Sequence, residues 1–308
     1  MTTSSAQAPA AVVMIRPRHF RVNPETAADN TFQIDSSNMD QDELSRSAFE
    51  EMTIAAERLE KSGINVHIFE DEGIETPDSV FPNNWFSTHS GGHVAVYPMF
   101  SKARRKERRT DVIEMLKSQY RVQDVIDYSG LEADGLFLEG TGAMVLDHID
   151  RVAYAVKSKR TEPIALERFC THFNYEPMVF EAEDKNGVSI YHTNVLMCIA
   201  TGFVLICLDM IKDPQRRDEI VQRFEYSGRK VINLTHAQIG NFAGNAIELR
   251  SGNTHILALS SRALSALNSE QVSAIEKSAE ILDLHIPTIE LAGGSVRCTL
   301  AGIHLLPR

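Results

Sequence analysis

The chain has 308 residues, 43% hydrophobic and 24% charged, with a formal net charge of −11, the balance of an ordinary globular protein with a sizeable core. That acidity excludes the basic face of a nucleic-acid binder, and no segment is apolar over the length a membrane span needs. Four cysteines (Cys170, Cys198, Cys207, Cys298) without CxxC spacing exclude a dense disulfide framework and a structural zinc site, so a reduced, cytoplasmic protein is expected.

Met1–Ala11 has small and polar residues but no basic stretch, and reads as a disordered tail rather than a signal peptide. Residues 12–308 are then the folded part. Val12–Ile15 reads as a strand, followed by a helix over Gln41–Lys61 capped by Asp40 and ended by Gly63. Ile64–Phe69 is a strand leading to Phe81-Pro82-Asn83-Asn84-Trp85. The second cycle has strand His93–Tyr97, helix Ser101–Tyr120 and strand Arg121–Ile126, and ends at Leu138-Glu139-Gly140-Thr141-Gly142. The third has Arg151–Val156, helix Thr161–Phe173 and Tyr175–Phe180, and ends at Tyr191-His192-Thr193-Asn194. The fourth has Phe203–Leu208, helix Pro214–Tyr226 and Lys230–Leu234, and ends at Phe242-Ala243-Gly244-Asn245. The fifth has His255–Leu259, helix Ser269–Glu280 and Ile281–Ile286, and ends at Gly293-Gly294-Ser295-Val296-Arg297-Cys298. Cys198 and Cys207 fall in apolar runs and read as core thiols.

Each unit is a strand, a helix, a strand and a polar loop. Asn84, Glu139, His192, Asn245 and Cys298 mark the loops at intervals of 55, 53, 53 and 53 residues. Such a period marks a repeat architecture. Five units without evident caps point to a closed ring, since closure removes sheet edges. Equivalent loops would then converge on one axis.

That convergence gives three residue types a joint chemistry. A cysteine becomes nucleophilic when its thiolate is stabilised by a cation or backbone donors, and Arg297 with Gly293 and Gly294 offers such surroundings. His192 is suited to moving protons near neutral pH. Glu139 would orient the imidazole and favour its protonated form. Taken singly, each has a structural explanation, but unrelated structural residues have no reason to recur in register.

On these residues the chain resembles the penteins, the guanidino-group-modifying superfamily that includes arginine deiminase, dimethylarginine hydrolase and the amidinotransferases. The likeness runs from about Met14 to Leu306. Phe81–His89, Leu138–Gly142 and Gly293–Cys298 are similar to the citrulline-utilisation hydrolase branch. The resemblance implies an α/β fold: a fivefold pseudo-symmetric α/β propeller of ββαβ repeats around a central site, with 12–308 as a single catalytic domain. It implies that Cys298 attacks the guanidino or ureido carbon, that His192 protonates the departing nitrogen and activates water, and that Glu139 positions His192. No cofactor or metal is expected.

Arginine deiminases usually carry Asp where Asn84 and Asn194 stand. A buried cation needs opposite charge, whereas an amide offers both donor and acceptor, which suits a neutral ureido group. Citrulline is therefore the expected substrate, cleaved to ornithine, CO2 and ammonia through an S-carbamoyl-cysteine. The alternatives are a deiminase or dihydrolase acting on arginine or methylarginine, an amidinotransferase and, more distantly, a non-catalytic propeller that binds a partner. Asp78 could still serve a cation. Asn245 is a pocket candidate by its place in the period. Arg16 and Arg18 are candidates for the substrate carboxylate, and Asn23, Asn30 and Gln33 lie in a polar loop that could line the pocket. Arg104–Arg109 reads as a solvated helix face and Trp85 as packing. The expected partner is a small amino-acid substrate, not nucleic acid or membrane, and a homodimer is left open.

Overall fold

The computed structural model describes residues 7–27, 29–36 and 38–308. Among these residues, fifteen strands form five three-stranded sheets of one design. In the first, β1 (Ala11–Pro17) runs parallel to β2 (Asn65–Asp71), with helix α1 (Gln41–Lys61) crossing between them. In the second, β3 (Phe86–His89) is antiparallel to β4 (His93–Val96), which is parallel to β5 (Asp124–Asp127) across helix α2 (Thr110–Gln119). The third repeats this with β6 (Met144–Asp147), β7 (Val152–Val156), α3 (Pro163–Phe173) and β8 (Glu176–Phe180). The fourth has β9 (Met197–Ile199), β10 (Phe203–Ile206), α4 (Pro214–Tyr226) and β11 (Lys230–Asn233). The fifth has β12 (Ile247–Ser251), β13 (Thr254–Ser260), helices α5 (Ser261–Ala266) and α6 (Ser269–Ile275), and β14 (Glu280–Leu284). Finally β15 (Ala301–Gly302) pairs antiparallel with β1, setting Val12 against Gly302, so the C-terminus completes the first sheet and closes the ring.

Hydrophobic pattern drives this arrangement. The middle strands read as continuous apolar runs because both faces are covered; β7 and β10 are buried throughout. Helix α1 starts where the Asp40 carboxylate accepts from the Asp42 and Glu43 N–H groups, and it packs Leu44, Ala48, Met52, Ala55, Ala56 and Leu59 inward. A buried side chain the size of Leu59 or Met52 contributes about 1.5–3 kcal/mol, and Met52→Asp would leave an unpaired charge in that layer. The inner strands meet around the axis, β6 beside β9, β9 beside β12 and β15 beside β3. The loops carrying Asn84, Glu139, His192, Asn245 and Cys298 each lead into one of those inner strands.

Three expectations change. The disordered tail expected over 1–11 does not extend through residue 7: Gln7 is buried, donating to Leu146 O and Ile199 O at 3.0 and 3.1 Å and accepting from His148 N–H at 2.8 Å. Residues 1–6 lie outside the described residues. The helix expected over 101–120 is a 3-10 turn (Ala103–Glu107) and then α2, because Arg104 and Glu107 turn inward and pair at 2.9 Å rather than facing water. The helix expected over 269–280 stops at Ile275, and α5 precedes it. Trp85 packs on Phe86 with ring centres 4.4 Å apart.

Candidate active site

Cys298 sits in a one-turn helix, Val296–Thr299, whose approach is pinned from behind. Ser295 donates from its hydroxyl to Glu290 (2.7 Å) and from its N–H to Asn245 Oδ1 (3.2 Å). Gly293 takes φ +79°, and a Cβ there would collide with Asn30. A Cβ on Gly294 would lie 2.8 Å from the Phe81 ring and 3.2 Å from Cys298 Cβ. The two glycines thus let the loop pass close to the cavity wall.

The Cys298 sulfur is buried and accepts two neutral amide hydrogen bonds, from Asn194 Nδ2 at 3.2 Å and Asn245 Nδ2 at 3.3 Å. Asn245 also donates to Asn194 O at 3.0 Å. These donors are placed to stabilise negative charge as it develops on the sulfur during attack.

Glu139 and His192 meet across 53 residues of sequence: His192 Nε2 lies 2.8 Å from Glu139 Oε2, and Phe100 N–H donates to Oε1 at 3.0 Å. The ionised carboxylate can only accept, so Nε2 carries the proton and Nδ1 is left with its lone pair. Gly142 underlies that side of the ring. A Cβ there would fall 2.9 Å from His192 Nδ1 and 2.0 Å from the Asn84 amide.

Burial acts to raise the Glu139 carboxyl, but Arg160, the His192 hydrogen bond and Arg104 outweigh it and hold it well below the usual carboxylate range. For His192 burial wins, taking it to about 4 against the pull of Glu139. The expected protonated imidazole is therefore neutral at pH 7, ready to accept a proton rather than donate one.

One small cavity brings Cys298, His192, Asn84 and Asp78 together with Arg104 and Arg160. Asp78 is buried; its Oδ2 accepts from Asn23 at 2.7 Å and lies 3.6 Å from Arg104 Nε, while its Oδ1 has no partner among the described residues. Asn84, with its amide oriented to suit its neighbours, accepts from both Arg104 Nη atoms at 3.1 Å. Arg104 is braced by Glu107, and Arg160 by Asp29 at 2.5 Å with its guanidinium 4.8 Å over the Tyr191 ring. Burial opposes both charges, but the carboxylates around them keep both guanidinium groups ionised.

Of the residues singled out in the sequence, Cys298, His192, Asn84 and Asp78 line this cavity, and Glu139 stands directly behind His192. Asn194 and Asn245 do not line it; they support the sulfur. Arg16 and Arg18 are elsewhere, both paired with Glu70 at 2.5 Å and stacked on Phe49. Asn30 and Thr26 of the polar N-terminal loop do line the cavity, Asn23 reaches it through Asp78, and Gln33 braces Thr26 at 2.7 Å. Arg104 and Arg160 are the residues that sequence patterns missed. Arg104 hides in a basic run, and Arg160 follows Ser158 and Lys159 with nothing apolar to mark it as buried. Among the described residues no three His, Cys, Asp or Glu side chains form a metal-binding group, and no helix is long and apolar enough to cross a membrane.

The family model described as "N,N dimethylarginine dimethylhydrolase, eukaryotic" matches residues 16–305. No curated protein matches the sequence. Among solved structures, the substrate-bound N-terminal domain of ArgZ, an arginine dihydrolase from the Ornithine-Ammonia Cycle in Cyanobacteria, superposes with TM-score 0.73 at 16% identity, over 95% of this chain and 97% of that one. AgrE in ternary complex with ornithine and NAD+ gives 0.72 at 19% identity, over 95% of this chain but 39% of AgrE. A dimethylarginine dimethylaminohydrolase adduct with S-methyl-L-thiocitrulline gives 0.61 at 13% identity, over 97% and 99%. At these identities what is shared is the fold, a pentein propeller.

Proposed function

Since the chain belongs to the family described as N,N dimethylarginine dimethylhydrolase, eukaryotic, a pentein family of C–N hydrolases, we propose that it hydrolyses arginine at the guanidino carbon and carries that carbon through the ureido stage to ornithine, ammonia and CO2. The observation that carries this reading is the combination of one acidic and one neutral group on the same cavity. Asp78 Oδ1, buried and unpartnered, suits a guanidinium. The Asn84 amide suits the neutral ureido product that forms first. Arg104 and Arg160 offer guanidinium groups for an amino-acid carboxylate, which is planar and accepts paired hydrogen bonds.

Each passage uses the same two side chains, Cys298 and His192, with Glu139 holding the imidazole. His192 Nδ1 takes the proton of the Cys298 thiol, and the thiolate adds to the amidinium carbon. The bond to the terminal nitrogen breaks as His192 returns the proton, and ammonia leaves. Water then gives a proton to His192 and adds to the carbon; the C–S bond breaks, yielding citrulline. In the second passage Cys298 adds to the ureido carbon and the side-chain amine leaves with the proton from His192. Water releases carbamate from S-carbamoyl-Cys298, and this breaks down to CO2 and ammonia. One arginine and two waters give ornithine, two ammonia and CO2.

Citrulline supplied alone would enter at the second passage, so the expectation drawn from the sequence is contained in this one. A second reading, hydrolysis of dimethylarginine to citrulline and dimethylamine, is favoured by the family match. Separate incubations with arginine, citrulline and dimethylarginine, with ornithine, citrulline, ammonia and dimethylamine quantified, decide between them. Turnover of dimethylarginine but not arginine would overturn the first reading.

A further inference from the structure

A second cavity, with room for about 50 Å³, opens among the inner strands and shares no lining residue with the first; its walls include Gln7, His148, Cys198, Glu248, Arg297 and His304. Arg297 and Cys298 are neighbours in the same one-turn helix, yet each lines a different cavity. That helix stands between the two.

The polar groups of the second cavity are nearly all committed. Gln7 uses its amide on Leu146 O, Ile199 O and His148 N–H. Glu248 accepts from Thr201 N–H and hydroxyl at 2.8 and 2.7 Å and meets His255 at 3.1 Å. His148 bonds Tyr175 at 2.8 Å and stacks on His304 at 4.0 Å. Burial holds the His148 imidazole neutral. Arg297 is the exception. Nη1 donates to Leu300 O at 3.0 Å, and among the described residues no carboxylate lies within the 4.0 Å that defines an ion pair. Three guanidinium groups buried more deeply than the part-buried Arg297, those of Arg104, Arg160 and Arg229, each have at least two carboxylates at that range. A guanidinium carries five N–H donors, and Arg297, part-buried against the cavity without a counter-charge, has donors left for a ligand.

We propose that this cavity is a site for a small monovalent anion, a halide or a one- or two-carbon carboxylate, held by Arg297, and that its occupancy makes Cys298 less reactive. The coupling has a physical route. The backbone N–H of Arg297 donates to the backbone carbonyl of Asn245 at 3.3 Å, and the Asn245 side-chain amide donates to Cys298 Sγ. An anion on Arg297 also cancels the positive charge nearest in sequence to the sulfur, which raises the cost of the thiolate. The site itself does not rest on the proposed hydrolysis, so failure to turn over arginine leaves it standing.

Bromide is the probe. Crystals grown in sodium bromide are expected to show anomalous scattering within hydrogen-bond distance of the Arg297 guanidinium; a peak only at Arg104 or Arg160, or none, overturns the site. In solution, alkylation of Cys298 by iodoacetamide is compared in sodium bromide and in sodium gluconate, whose anion is too large to enter, at fixed pH and ionic strength. Bromide should slow it roughly two- to fivefold in the native protein and leave it unchanged in Arg297→Met. Equal slowing in both proteins, or none in the native one, overturns the coupling. The crystal measurement needs no variant and stands if Arg297→Met fails to fold.

Discussion

The side-chain nitrogen of Asn194 lies 3.2 Å from the sulfur of Cys298, 104 residues further along the chain. In the sequence this residue stands where a guanidinium-gripping carboxylate is expected; in the fold it serves the sulfur. A carboxylate at 194 would repel a thiolate, whereas an amide stabilises it without adding charge to the cavity.

Removing that donor is therefore expected to act on the thiol before it acts on substrate. Asn194→Ala should slow alkylation of Cys298 at pH 7.5 by about tenfold or more, given that a hydrogen bond to a charged group is worth about 1.5–3 kcal/mol. An unchanged alkylation rate with the fold intact would remove Asn194 from this role.

On the proposed reading, the choice of substrate turns on Asp78. Asp78→Asn replaces the buried oxygen that has no partner with an amide of nearly the same shape. It should raise KM for arginine by roughly 10- to 100-fold and change KM for citrulline much less. Equal effects on both substrates would assign Asp78 to another part of the ligand.

Arg104 and Arg160 lead to a test made from the substrate side, which spares the buried ion pairs around them. Agmatine is arginine without its carboxylate. Its kcat/KM should be about 10²-fold or more below that of arginine. Comparable values would mean that neither guanidinium holds the carboxylate.

Most of the architecture was legible in the chain because the five loop markers keep a period near 53 residues and the middle strands and helices carry clear apolar patterns. The meeting of Cys298, His192 and Glu139 in one place was legible for the same reason. The inner strands were harder to read. β9 has three residues and β15 two, too short for any periodicity. Arg16 and Arg104 show the limit of reading charge by type. The former meets Glu70 at 2.5 Å, the latter turns inward toward Glu107, Asp78 and Glu139, and only their distant partners decide which is buried. Asn194 and Asn245 were found by position, but that their amide nitrogens meet the sulfur was not legible, since side-chain direction depends on backbone geometry.

Buried histidines should pull stability down on mild acidification, against buried carboxyls such as Glu107, which burial raises to about 7 and which add stability as pH falls over the same range. Burial lowers His89, His148 and His192, the last to about 4, from an ordinary value of 6.5. Above about pH 6.5 these groups are neutral in both states and contribute no pH dependence. As pH falls below that, the unfolded chain binds protons that the folded one refuses, and stability is lost. Glu139, held low in the fold, adds to the loss only below its ordinary value of 4.5. Urea unfolding at pH 8, 6 and 5 should show a decline of up to about 1.4 kcal/mol per unit for each such histidine. Imidazoles that titrate near 6.5 when followed by NMR in the folded protein would mean they are not buried as described.

The account stands most directly on the fate of one carbon atom. Arginine labelled with ¹³C at the guanidino position, incubated with the protein and followed by NMR, should pass its label through citrulline into bicarbonate, with two ammonia released per ornithine. The same incubation with Cys298→Ser should leave the label in arginine. Label that stops at citrulline, or that reaches bicarbonate without Cys298, would contradict the two-passage mechanism.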